Sequence, residues 1–279
     1  MSYKTIATVF RSEHIDTDHL KAAIDMAGQM DAHLDVLALG TDRIMPGAYY
    51  AGATAIAARN AMEDAIADAV KAEEAAEKLL DTSGIKFEVT RAIAQIGGIP
   101  QIIGRRLGLS DIIVVPKPYG EDRTAEDVAV VEAALFSTRV AVLVLPVGMS
   151  SFKMPSRIVI GWNQSDEAMQ AIRSSMPFLM AADNVEIAII DPPEHDPDRS
   201  DPGGLLAGML SRHGVRAEIS ILARTMPRVS DVLCRHVRDH SADMVVMGAY
   251  GHSRFLEEIL GGATRNMLAE SQVPVLMAH

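Results

Sequence analysis

Short, almost unbroken apolar runs alternate along this chain with longer stretches in which apolar residues recur every three or four positions. In the first half, residues 5–10, 34–39, 111–115 and 140–144 read as strands, with 87–89 as a further candidate. Between them 18–30, about 48–80, 99–107 and about 125–136 read as helices. In the long one Met62, Ile66, Ala69, Val70, Ala76 and Leu80 fall at helical spacing, and its acids and lysines form a solvated face. In the second half the strands are 157–162, 185–190, 217–222, 243–247 and 273–277. The helices there are 205–212, 229–240 and 265–270, the second placing Val229, Val232, Leu233, His236 and Val237 on one face. Prolines across 192–202 exclude a helix at that point, so it reads as a loop.

Strands that are apolar on both faces, separated by helices, predict parallel sheets covered on both sides. The pattern is also written twice. Thr5 to Phe10 matches Arg157 to Trp162, Leu34 to Leu39 matches Val185 to Ile190, Asp111 to Val115 matches Asp243 to Met247, and Val140 to Val144 matches Val273 to Met277. The order is kept while the offset falls from about 150 to about 132. This period is too long for a solenoid and reads as two copies of one α/β domain. The expected domains are 1–147 and 155–279, joined by a short Gly/Ser/Pro stretch.

Composition narrows the function. Of 279 residues 48% are hydrophobic and 23% charged, which fits a globular protein with a substantial core. The formal net charge of -11 argues against a nucleic-acid partner, which needs a basic face. No apolar run reaches the roughly 20 residues that span a bilayer, and the first ten residues lack the features of a signal peptide, so no membrane partner and a cytoplasmic location are expected. The single cysteine, Cys234, excludes an intrachain disulfide and reads as a small buried hydrophobe.

The chemistry concentrates near the C-terminus. Met247-Gly248-Ala249-Tyr250-Gly251-His252-Ser253-Arg254 leaves a strand, and Gly261-Gly262-Ala263-Thr264 opens a helix. Glycines in these places let backbone N–H groups approach a phosphate unobstructed, and a helix N-terminus favours the negative charge. In a doubly wound sheet the ends of the first and fourth strands meet at the switch point, here Gly161 to Asn163 and Met247 to Gly251. P-loop, Rossmann and nucleophile-elbow signatures are absent. His236 and His240 stand one helical turn apart, but no third metal ligand is evident from the sequence, so no metal site is expected. His195, Asp196, Asp198 and Asp201 read as a polar loop.

The spacing of Gly248, Gly251 and Gly261, with the opening strand and turn 159–168, resembles the nucleotide motif of the universal stress proteins. The likeness runs over nearly the whole chain as a tandem pair. It implies two doubly wound parallel five-stranded sheets of the adenine-nucleotide alpha-hydrolase-like kind, strand order 3-2-1-4-5, paired within the chain through their last strands. It also implies ATP or another adenine nucleotide, with magnesium as a candidate companion. Phosphates would lie on Gly248, Gly251, Gly261, Gly262, Ala263 and the Thr264 hydroxyl, with His252 a candidate donor. The adenosine would lie against Gly161, Trp162, Asn163, Ile189 and Met247. Asn163 stands where the family often has an acid, and Gly262 where it often has Ser or Thr. The first copy lacks the motif: Pro116-Lys117-Pro118-Tyr119-Gly120 follows its fourth strand, and Glu132 is expected to repel a phosphate. The resulting expectation is a non-enzymatic stress-response sensor or regulator. The alternatives are a slow ATPase or phosphotransfer enzyme and a sensor of a non-nucleotide small molecule, and pairing of whole chains stays open.

Overall fold

The computed structural model describes residues 2–11, 17–43, 55–192, 201–249 and 262–279. The first half runs β1 (Thr5–Phe10), α1 (Asp18–Met30), β2 (His33–Asp42), α2 (Ala55–Leu80), β3 (Lys86–Gln95), α3 (Ile99–Leu107), β4 (Ile112–Pro116), α4 (Ala125–Ser137) and β5 (Ala141–Leu145). The second runs β6 (Arg157–Gly161), α5 (Asp166–Ser174), a single turn α6 (Met176–Leu179), β7 (Asn184–Ile190), α7 (Gly204–Arg212), β8 (Ala217–Leu222), α8 (Val229–Asp239), β9 (Met244–Gly248), α9 (Ala263–Glu270) and β10 (Val275–Ala278). Among the described residues no helix is long and apolar enough to cross a membrane.

All ten strands join in one sheet, ordered β3-β2-β1-β4-β5-β10-β9-β6-β7-β8. Each half therefore has the order 3-2-1-4-5 with parallel neighbours, and the halves meet where β10 pairs antiparallel with β5, Leu276 opposite Leu143. Helices on both faces bury the central strands, and β5 is apolar and buried at every position. At the outer edges the pattern weakens. β3 mixes exposed and half-buried residues and extends well beyond the three apolar-flanked residues visible in the sequence. Its length comes from ten register pairs with β2, from Lys86 opposite His33 to Gln95 opposite Asp42.

Two cores lie on the two faces of the sheet, and each runs through both halves. One face packs α1, α2, α5, α6 and α7 over residues such as Leu34, Leu143, Ile158, Ile187 and Leu276. The other packs α3, α4, α8 and α9 over Val9, Val142, Val159, Val245 and Met277. The duplication extends to polar detail. Asp111 accepts backbone N–H bonds from Lys4 and Thr5 at 2.6 and 3.0 Å, and Asp243 accepts from Ser156 and Arg157 at 2.9 and 3.0 Å. Each carboxylate fastens the start of its half's first strand beside the fourth.

The joining segment is anchored. Phe152 donates its N–H to Asp25 at 3.2 Å and accepts from the Gln29 side chain at 2.6 Å, both from α1. Tyr3 packs edge-on against Phe178 and donates its hydroxyl to the Ser174 carbonyl across the halves. Burial there pushes the Tyr3 hydroxyl strongly upward in pKa.

Because Leu143 and Leu276 are fully buried and face one another, truncating either to Ala leaves a cavity at the junction. We expect each to cost about 2–5 kcal/mol in urea unfolding. The double variant should depart from the sum by about 0.5 kcal/mol or more, since contacting residues couple. Strict additivity would show that the two side chains do not meet.

Candidate functional site

The second half has its crevice at the C-terminal ends of β6 and β9, which lie side by side with Gly161 opposite Met247. Gly161 also pairs with Ala188 of β7, and Trp162 donates its N–H to the Ala188 carbonyl at 3.0 Å. Trp162 is half-buried and packs on the core. The turn that follows is built by side chains. Asn163 accepts from the Ser165 N–H at 3.2 Å, Gln164 takes a left-handed φ of 62°, and Ser165 caps α5 by accepting from Ala168 N–H at 3.1 Å. Asn163 is thus exposed at the crevice, with its carbonyl oxygen held in the turn.

Gly248 has a packing role as well as the chemical one its motif suggests. A Cβ on it would stand 2.6 Å from the Ala168 nitrogen and 2.9 Å from the Glu167 carbonyl carbon. The end of β9 therefore lies directly under the first turn of α5, and only a glycine fits. Opposite, α9 begins with Gly262 as N-cap and no acidic residue in its first turn. Ala263 is exposed, whereas Thr264 is 3% exposed and Ile189 4%, both sunk below the crevice surface. Gly251, His252 and Gly261, like Ser253, Arg254 and the loop acids Asp196 and Asp198, lie outside the described residues. Arg265 faces the first half, its guanidinium 5.6 Å from the Tyr119 ring centre. Lys117 reaches the other end of the same helix, donating to the Ser271 carbonyl at 3.4 Å, and burial lowers its pKa. The proline loop of the first half has become a contact with α9.

The equivalent crevice in the first half is built differently. Arg11 occupies the place of Asn163 and is buried against two carboxylates, Glu126 in a close ion pair and Asp127 at 3.2 Å. Arg43 binds Glu126 at 2.8 Å, and Arg123 stands 3.9 Å from Asp127. Both acids sit in the first turn of α4, where Asp127 also completes a capping box with Thr124. Asp127 accepts the Thr124 N–H at 2.7 Å, and both carboxylates sit at the positive end of the helix dipole, where a phosphate would otherwise lie. What remains is a cavity of about 30 Å³ lined by Val9, Arg11, His19, Pro116, Arg123, Asp127, Val130 and Val131, too small for a nucleotide. The acids at the helix mouth are Glu126 and Asp127, whereas Glu132 lies mid-helix in α4. Sequence reasoning missed this cluster because its members, 115 residues apart, look individually like solvated charges.

Cys234 is buried on α8 with its thiol 3.4 Å from the Met267 sulfur, and burial pushes its pKa up to about 11. It is a packing residue. His236 and His240 do have a third neighbour that the sequence pattern did not reveal, Glu186 of β7.

The sequence profile of the Universal stress protein family matches residues 154–279. A universal stress protein of Synechocystis sp. is 22% identical over 126 residues, 45% of this chain and 43% of that one, so the chain spans less than half the length of this curated relative. A universal stress protein from Archaeoglobus fulgidus superposes over 98% of this chain and 95% of its own, with TM-score 0.69 and 16% identity. A Pseudomonas aeruginosa structure covers 98% and 92% with TM-score 0.60 and 14% identity. At such identities the two structures establish the shared fold. Residues 154–279 thus match the universal stress protein family, and the first half repeats the same strand order in tandem.

Gly248→Ala should lower stability by about 1–3 kcal/mol in chemical denaturation through backbone overpacking; an unchanged midpoint would mean that α5 does not press on β9. Glu126→Gln leaves Arg11 buried with its main counter-charge gone, and a loss of about 3–5 kcal/mol is expected in the same assay. For Cys234 the raised thiol pKa favours the protonated folded state, so its stabilising contribution is full at lower pH and is lost as pH climbs from 9.0 through about 11. Near neutral pH, iodoacetamide should alkylate the native protein about a hundredfold more slowly than the denatured chain; equal rates would contradict the burial.

Proposed function

We propose that the chain is a tandem stress-response protein of two domains, 1–147 and 155–279, in which the second binds ATP or a related adenine nucleotide and the first serves as a non-binding partner. The observation that carries this reading is the contrast between two equivalent helix mouths. α4 opens on Glu126 and Asp127, held by Arg11, while α9 opens on Gly262 and Ala263 with no acid in its first turn. A helix N-terminus with no acid in its first turn suits a polyphosphate. In this reading the phosphates lie against Gly248, Gly251, Gly261, Gly262 and Ala263, with His252 as a donor. The adenosine lies along Gly161, Trp162, Asn163 and Met247. The deep burial of Ile189 and Thr264 limits them to lining the floor. Magnesium, as a candidate companion of the nucleotide, would offset phosphate charge.

The reading is of a sensor or regulator and not an enzyme. Its output is supported by the way α9 is seated, since Arg265 lies over Tyr119 and Lys117 binds Ser271. A ligand that orders the start of α9 would act directly on the contact between the halves.

Thermal unfolding of the full chain with ATP, ADP or AMP, with and without magnesium, tests the proposal. A nucleotide at a hundredfold excess over its dissociation constant should stabilise by about 2.7 kcal/mol. Ala263→Glu places at this exposed position the kind of charge that closes the first crevice. It should weaken binding at least tenfold and leave the nucleotide-free melting unchanged, because an acid in a first helical turn is favourable. No shift with any of the three nucleotides at millimolar concentration, or an Ala263→Glu variant that binds as well as the parent, overturns the reading.

A further inference from the structure

The strands' opposite ends carry a second constellation. Glu186 is the third residue of β7, on the sheet face that α8 covers, and its side chain is 8% exposed. His236 comes from the last turn of α8 and is as deeply buried. His240 caps that helix and is half-exposed. Nε2 of His236 lies 3.0 Å from one carboxylate oxygen of Glu186, and Nδ1 of His240 lies 3.1 Å from the other. All three ligand atoms fall within 4.8 Å of one another.

A carboxylate–imidazole pair made to share a proton aligns its N–H with an oxygen lone pair. Here Nε2 of His236 is buried and makes no hydrogen bond, although the Glu186 oxygen is within reach. The imidazole nitrogen is thus left unpartnered beside the carboxylate. Tetrahedral coordination with bonds of about 2.0–2.1 Å sets neighbouring ligand atoms about 3.3 Å apart. One Glu186 oxygen lies 3.0 Å from His236 and the other 3.1 Å from His240, so the carboxylate spans the two imidazoles, and with one ligand atom from each residue within 4.8 Å of the others a side-chain adjustment brings them to that spacing. The supporting shell is in place. Ser220 of β8 donates its hydroxyl to the Glu186 oxygen that faces His236, and Arg157 donates to the His240 carbonyl at 3.4 Å, fixing the end of α8. Beside the carboxylate and His240 is an open cleft lined by Ser156, Arg157, Asp183 and Asn184, which gives an ion entry and leaves a coordination position to solvent.

We propose that Glu186, His236 and His240 form a binding site for a first-row divalent transition ion of the zinc class, tying the C-terminal end of α8 to β7. Two imidazoles and one carboxylate are borderline ligands that suit this class and not magnesium or calcium, which take oxygen sets. The site is at the far end of the strands from the nucleotide crevice and stands independently of it.

The test uses the full chain, stripped with a chelator and titrated with Zn²⁺ alone by calorimetry and thermal unfolding, with Co²⁺ as the visible-absorption probe. The parent should bind one equivalent more than His236→Ala or His240→Ala, melt higher with Zn²⁺, and give Co²⁺ d–d bands that both variants lack. Glu186→Gln should weaken binding at least tenfold. His240 is half-exposed, so its variant keeps the fold, checked by unchanged metal-free melting, and decides the matter even if His236→Ala fails to fold. Equal Zn²⁺ stoichiometry and melting in the parent and His240→Ala, or no Zn²⁺ effect on the parent, overturns the proposal.

Discussion

The antiparallel pairing of β5 with β10 is the contact on which the rest of the architecture depends. Each half alone would end in a fully apolar fifth strand with an unpaired row of backbone donors and acceptors, an edge prone to adventitious pairing. Joining the two edges satisfies both rows and extends the two cores without a break from one half into the other. It leaves as outer edges the mixed strands β3, which exposes Lys86, Glu88, Arg91 and Gln95, and β8, which exposes Glu218 beside Ile219 and Ile221. The joining segment, with Phe152 laced to Asp25 and Gln29, and the Tyr3–Phe178 contact hold the halves in the register this pairing requires.

The same fold offers two crevices, and electrostatics separates them. A helix N-terminus beside strand ends is a site of positive potential in either half. In the first it is neutralised internally by Glu126 and Asp127, which are in turn held by arginines from β1's end and the neighbouring loops. In the second nothing in α9's first turn does so. The proline loop that replaced the glycines in the first half has a different use: Lys117 and Tyr119 grip α9 of the other half. The stretch in which the two halves differ most in sequence thus serves the interface between them.

Much of this was legible in the sequence. Central strands buried on both faces give apolar runs that are hard to mistake, so β1, β4, β5 and their counterparts were plain, as was the duplication that relates them. β3 was seen only at Phe87 to Val89, because an edge strand's length is set by its neighbour's register and not by its own hydrophobicity. The acid-free first turn of α9 was visible through Gly262 and Ala263. The filled one was not, because ion pairs between remote residues leave no periodic trace. Glu186 did leave a signal, a lone acid inside the apolar run Val185 to Ile190, but its pairing with His236 and His240 depends on how α8 lies across β7.

Covalent fusion of the halves has an evolutionary consequence. Where two identical subunits meet about a two-fold axis, one gene writes both surfaces, and any substitution is felt twice. With both strands of the junction on one polypeptide, that obligation ends. One copy can surrender its ligand, accept charges in its former pocket and specialise as a brace, while the other keeps the older chemistry under separate selection.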